Sequence, residues 1–260
     1  ISRKNFNEVE NISRSGKGVS ITADDKYMVF IGEKCQKDYI YLYNFRKNRF
    51  KRLKVPFEII DSADISPDGE KIIFVAMKDG FRNIYSIDTG GSNLVKLTEE
   101  TGDVSDATIS PDGRFVVFSK EVKVNSETKS YQRDLWLLAL EDSSTIKLTG
   151  IPNDETSPCI SPDNKMVVFV SDQDDIYNLY SVDLETNDIK RLTQVIGGNF
   201  NPSFSNDGKK IIFSSFRYGE KHLYIADIDN FDRKPVFHLS TILEVSTQSV
   251  TQVPAVKPYR

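Results

Sequence analysis

The chain has 260 residues and a mass of 29.5 kDa, enough for one domain with a substantial core and too few for two of ordinary size. A formal charge of -4 and a pI near 5.4 lack the basic footprint of a nucleic-acid binder, and no stretch approaches the roughly 18 uncharged residues of a membrane-spanning helix. Two cysteines, Cys35 and Cys159, exclude a disulfide-stapled scaffold and a thiolate zinc cluster, and two histidines, His222 and His238, complete a sparse catalytic inventory.

In chain order, the first predicted strand is Asn5–Glu10, at the spacing of an outer strand that would end a preceding unit. A turn then reads Ile21-Thr22-Ala23-Asp24-Asp25, and it returns as Ile65-Ser66-Pro67-Asp68-Gly69, Ile109-Ser110-Pro111-Asp112-Gly113, Ile160-Ser161-Pro162-Asp163-Asn164 and Phe204-Ser205-Asn206-Asp207-Gly208. Proline presets φ, aspartate bonds local backbone, and glycine or asparagine tolerates a positive φ, so the motif is a hairpin device. Six residues after each aspartate stands Phe30, Phe74, Phe118, Phe169 or Phe213, in apolar runs such as Lys71–Val75 that predict a strand buried on both faces.

A second strand carries Tyr41, Tyr85, Trp136, Tyr180 or Tyr224, and an outer strand ends at Leu53, Leu97, Leu148, Leu192 or Val236. The unit repeats every 44 residues except for the third, which is 51 because its central hairpin, Lys120–Arg133, is longer. Four strands per unit and no helical periodicity predict an all-β propeller built of blades. The tail, residues 240–260, lacks the turn motif, and Pro254 and Pro258 give it the look of a linker.

The succession Ser-Pro-Asp-Gly, aliphatic-Phe strand, Ile-Tyr or Leu-Tyr strand ending in Asp, and Lys-Leu-Thr resembles the TolB-type β-propeller repeat, also found in tricorn-like proteases and prolyl-oligopeptidase relatives. The resemblance covers about residues 9–239, close in the second to fourth units and degenerate in the first. It implies a six-bladed propeller, of which five repeats are complete and the sixth is partial or missing, over residues 1–239. The linker-like tail leads us to expect a natural polypeptide that continues beyond Arg260.

For chemistry the residues offer little. No Gly-x-Ser-x-Gly elbow is present, and the repeated aspartates recur as structural features do. Asp172, Asp174 and Asp175 alternate like calcium ligands but sit in a tight hairpin, and the equivalent loops carry no such cluster, so no metal and no cofactor are expected. Three connections that should ring one channel mouth are acidic: Glu58 and Asp61; Glu99, Glu100, Asp103 and Asp106; Asp154 and Glu155. Six residues before each turn aspartate stand Gly18, Ser62, Asp106, Ser157 and Asn201, a position that enters the innermost strand. We expect a partner face formed by Ser62, Asp103, Asp106, Asp154, Ser157 and Asn201, with Tyr131 of the long hairpin beside it.

The expected function is that of a non-catalytic, protein- or peptide-binding scaffold, monomeric and neither nucleic-acid-binding nor membrane-spanning. The resemblance places it in the periplasm or cell envelope of a bacterium, with the cytoplasm as the alternative. The competing reading is a substrate-gating propeller of a larger hydrolase of the prolyl-oligopeptidase or tricorn type, the isolated chain itself having no activity.

Overall fold

The computed structural model describes residues 11–12, 18–99, 102–125, 130–231 and 235–238. The strand expected at Asn5–Glu10, Glu100, the tip of the long hairpin at residues 126–129 and the tail 240–260 lie outside the described residues. The protein is an all-β, five-bladed propeller, its blades arranged in a ring.

Blade one comprises β1 (Asn11–Ile12), β2 (Val19–Ile21), β3 (Tyr27–Lys34), β4 (Lys37–Asn44) and β5 (Arg49–Leu53), with β1 and β2 both pairing with β3. Blade two is β6 (Ile60–Ile65), β7 (Lys71–Lys78), β8 (Phe81–Asp88) and β9 (Val95–Lys96). Blade three is β10 (Val104–Ile109), β11 (Phe115–Asn125), β12 (Ser130–Ala139) and β13 (Thr145–Lys147). Blade four is β14 (Glu155–Ile160), β15 (Met166–Ser171), β16 (Asn178–Asp183) and β17 (Asp188–Arg191), and blade five is β18 (Asn199–Phe204), β19 (Lys210–Arg217) and β20 (Glu220–Asp227). All pairings are antiparallel.

The turn motif acts as its composition predicts, with one addition. The residue after the aspartate has positive φ in every unit: Asp25, Gly69, Gly113, Asn164 and Gly208. The residue two before the aspartate closes the loop from the other side. Ser110 Oγ donates to Asp112 (2.6 Å) and accepts the N–H of Phe115 (3.0 Å), an arrangement repeated at Thr22, Ser66, Ser161 and Ser205.

The periodic aromatics are cross-strand partners, Phe30↔Tyr41, Phe74↔Tyr85, Phe118↔Trp136, Phe169↔Tyr180 and Phe213↔Tyr224. Four of the pairs stack with centroids 5.4–5.9 Å apart. Around them the core forms four apolar layers, each between consecutive blades. Val29, Ile40 and Ile72 lie in the first, Ile73, Ile84 and Val116 in the second, Val117, Leu135 and Val167 in the third, and Val168, Leu179 and Ile211 in the fourth.

The end of the fifth unit differs from the sequence expectation. Val236 should mark the outer strand of blade five, yet β21 (Pro235–His238) pairs with β17 on the outer edge of blade four. The physical reason lies just upstream. A 3₁₀ turn at Ile228–Asn230 buries Ile228 against Leu192 and Leu179, and this anchor directs the chain back over blade four.

Candidate binding site at the channel mouth

The innermost strands of blades one, three, four and five line a cavity of about 700 Å³. Its wall runs from Gly18, Asp106, Ser157 and Asn201 at one end to Ala23, Pro111, Pro162 and Asn206 among the turns at the other. Four residues before each turn aspartate comes a ring of Ser20, Asp64, Thr108, Cys159 and Ser203. Buried Asp64 accepts hydrogen bonds from Ser20 Oγ, Thr108 Oγ1 (2.9 Å) and the N–H of Ile109 (2.9 Å), tying blades one, two and three together beside the channel. Cys159 lies in this ring, and Cys35 lies in the exposed turn between β3 and β4, on a blade that does not adjoin blade four.

The position six residues before the turn aspartate has a backbone cause that sequence inspection missed. Asp106, Ser157 and Asn201 adopt φ of 52°, 52° and 53°, each at a break in the register between the first and second strands. Short polar side chains tolerate this left-handed conformation, so the pattern marks a β-bulge repeated around the mouth. The signal was present as Asp, Ser and Asn at equivalent positions, two of them followed by Pro158 and Pro202. Ser62, at the same position in blade two, is fully buried.

Two arginines were also overlooked. Arg82 pairs with both Asp61 and Asp103 (2.6 Å to the latter), and Arg133 meets Asp154 through its guanidinium (3.5 Å) and its backbone N–H (2.8 Å). Each arginine precedes its aspartate by 21 residues, so the pairing is itself a repeat feature. Burial works against the charge on Arg82, and the two carboxylates more than offset it, raising its pKa. Burial pushes the Asp106 carboxyl up against the opposing pull of the Ser157 N–H (3.2 Å) and of Arg133. Asp61, Arg82, Asp103, Asp106 and Arg133 together line a groove of about 210 Å³.

The mouth is thus a lattice of paired charges and hydrogen-bonding groups. Asp106, Ser157 and Asn201 share the cavity, Asp103 and Asp154 adjoin it through the arginines, and Tyr131 is half exposed on the long hairpin formed by β11 and β12. The aspartates of the β15–β16 hairpin have separate protein partners: Asp172 accepts the N–H of Asp154 (2.8 Å) and Asp174 pairs with Arg191 (2.5 Å). Among the described residues no three His, Cys, Asp or Glu side chains converge as metal ligands, and no helix is long and apolar enough to cross a membrane.

Known families match the two halves of the chain separately: the TolB beta propeller domain over residues 128–242, and the dipeptidyl peptidase IV N-terminal region over residues 12–126. The Tol-Pal system protein TolB of Nitratidesulfovibrio vulgaris is 32% identical over 90 residues, which is 35% of this chain and 19% of that protein. The crystal structure of TolB from Acinetobacter baumannii superposes with a TM-score of 0.68 at 21% identity, over 81% of this chain and 51% of that one.

The chain carries a TolB-like β-propeller domain.

It spans about a third or less of the length of the curated relatives it matches. The same fold serves other ends, as in the β-propeller domain of the trilobed protease from Pyrococcus furiosus. That domain is described as having an open velcro topology, with a TM-score of 0.59 at 17% identity over 85% of this chain and 71% of that one. At this identity the likeness shows the propeller fold alone.

Proposed function

We propose that this propeller is a non-catalytic scaffold of a bacterial cell envelope that receives an extended protein or peptide segment at the channel mouth. The observation that carries the reading is the cavity lined at one end by Asp106, Ser157 and Asn201. Its wall offers hydrogen-bonding groups and prolines but little unpaired charge, which suits a polypeptide segment better than a cation. Ser62, Asp103 and Asp154 support the rim from behind, and Tyr131 supplies an exposed aromatic contact. The envelope location rests on the TolB-named relatives.

Lysine-containing peptides titrated against the chain should bind, and the combined variant Asp103→Asn, Asp106→Asn, Asp154→Asn should weaken binding several-fold and reduce its salt dependence. Stability should change by no more than about 1 kcal/mol, because asparagine keeps an accepting oxygen at each position and half-exposed ion pairs contribute little. Binding abolished instead by substitutions among the Asp-Gly turns would place the partner at the opposite end.

A second reading, the gating propeller of a larger hydrolase, is favoured by the dipeptidyl peptidase IV match over residues 12–126. The coding sequence flanking these residues separates the two readings, since a nucleophile elbow on the same polypeptide would favour the enzyme.

The reading extends to a sixth structural unit between blades five and one. Apolar Val19 and Ile21 of blade one, and Ile212, Leu223 and Ile225 of blade five, are all exposed, as residues awaiting a cover would be.

A further inference from the structure

Blade three departs from the repeat at one buried point. In blades two and four, the threonine after the outer leucine donates to an asparagine: Thr98 Oγ1 to Asn83 and Thr193 Oγ1 to Asn178, both at 3.1 Å. In blade three the asparagine position holds Asp134, and Thr149 Oγ1 donates to Glu155 Oε2 (2.7 Å) across the junction to blade four. Both carboxyl groups are fully buried. Asp134 Oδ1 accepts from Gln132 Nε2 (2.7 Å), and Lys147 Nζ lies 2.7 Å from Asp134 Oδ2. Glu155 Oε1 is buried with no hydrogen-bond partner among the described residues.

The charged groups acting on Glu155 are Asp134 on β12 and Lys147 on β13, while Lys120 on β11, the cross-strand partner of Asp134, holds its ammonium 4.3 Å over the Trp136 ring. The other neighbours of Glu155, Thr149 and its cross-strand partner Ser171 on β15, are neutral. Two carboxylates against one ammonium leave an excess negative charge on fully buried carboxyl groups. Such a charge is strongly unfavourable unless it is removed by binding a proton.

We propose that Glu155, Asp134 and Lys147 form a proton-operated latch between blades three and four. In the closed state Glu155 holds the proton and Lys147 pairs with Asp134. When the pH rises, the O–H bond of Glu155 breaks, the proton passes to solvent, and the uncompensated carboxylate loosens the start of β14. Asp154, the preceding residue, holds both the backbone and the guanidinium of Arg133, so the latch lies directly behind the channel mouth. It operates whether or not that mouth receives a peptide.

Trp136, the sole tryptophan, reports on this pocket, being the cross-strand partner of Lys147 and two residues from Asp134. Its fluorescence, followed in the intact chain from acid to mildly alkaline pH, should show a one-proton transition above the ordinary glutamate range. Glu155→Gln, which mimics the protonated acid, should abolish the transition. Asp134→Asn, which restores the residue of blades two and four, should move it to lower pH by removing the like charge.

Denaturant midpoints give a second readout. Because the folded-state pKa of Glu155 lies above its unfolded value, wild-type stability should fall as pH rises between the two, and the fall should be absent in Glu155→Gln. A transition that persists in Glu155→Gln, that stays in place in Asp134→Asn, or that wild type never shows would overturn the latch.

Discussion

Blades four and five are built from the same repeat and differ in what lies beyond them. Five and sixteen residues after the turn aspartate, blade four carries Val168 and Leu179, both 0% exposed, whereas the equivalent Ile212 and Leu223 of blade five are 39% and 78% exposed. Burial at these positions is supplied by the next blade, since Val168 and Leu179 pack against Ile211 and Phe213. The lesson is that an apolar repeat position does not acquire its core character from its own blade. Blade five retains Ile and Leu there although no described residue covers them, just as blade one retains the exposed Val19 and Ile21 on the flank that faces blade five.

The largest expected effect tests this contrast directly. Leu179→Ala should cost about 2–5 kcal/mol, the range for a fully buried leucine, and Leu223→Ala less than about 1 kcal/mol. Chemical denaturation of both variants measures the difference. Equal costs would mean that something covers the flank of blade five in solution, and would strengthen the reading of a sixth unit.

Much of this architecture was legible in the sequence because a repeat exposes its own constraints. The turn motif, the Phe and Tyr pairing and the 44-residue unit each recur, so structural positions separate from incidental ones without coordinates. What was not legible depended on contacts between units. The ion pairs of Arg82 and Arg133 reach residues 21 positions away, and counting acids along the connections could not register them. The positive φ at Asp106, Ser157 and Asn201 turned an apparent ring of ligands into a ring of bulges that also lines the cavity. The displacement of β21 to blade four followed from the burial of Ile228, a tertiary preference that spacing does not encode.

An intermediate effect sharpens the comparison along the channel wall. Asp64 joins three blades, whereas the same ring position is Cys159 in blade four and Ser203 in blade five. Asp64→Ala should destabilise by about 3 kcal/mol, because it removes charge-assisted bonds and leaves the buried N–H of Ile109 without this acceptor. Ser203→Ala should lie within about 0.5 kcal/mol of wild type. A cost for Ser203→Ala approaching that of Asp64→Ala would show that blade five is tied into the ring as firmly as blades one to three.

The smallest effect should be the same in both blades, because the hydrogen bonds to each turn carboxylate come from that turn's own serine and backbone. Hydrogen bonds from Ser161 and Ser205 hold the carboxyl groups of Asp163 and Asp207 below the usual aspartate range. A depressed folded-state pKa stabilises the protein above the unfolded value of 3.8 and ceases to do so as pH falls through the folded value. Asp163→Asn and Asp207→Asn should therefore each reduce, slightly and to a similar degree, the steepness of stability loss in acid, read as denaturant midpoints across that range. A clearly larger change for Asp163 than for Asp207 would mean that packing from the neighbouring blade, and not the turn's own hydroxyl and backbone N–H groups, sets the carboxylate's affinity for its proton.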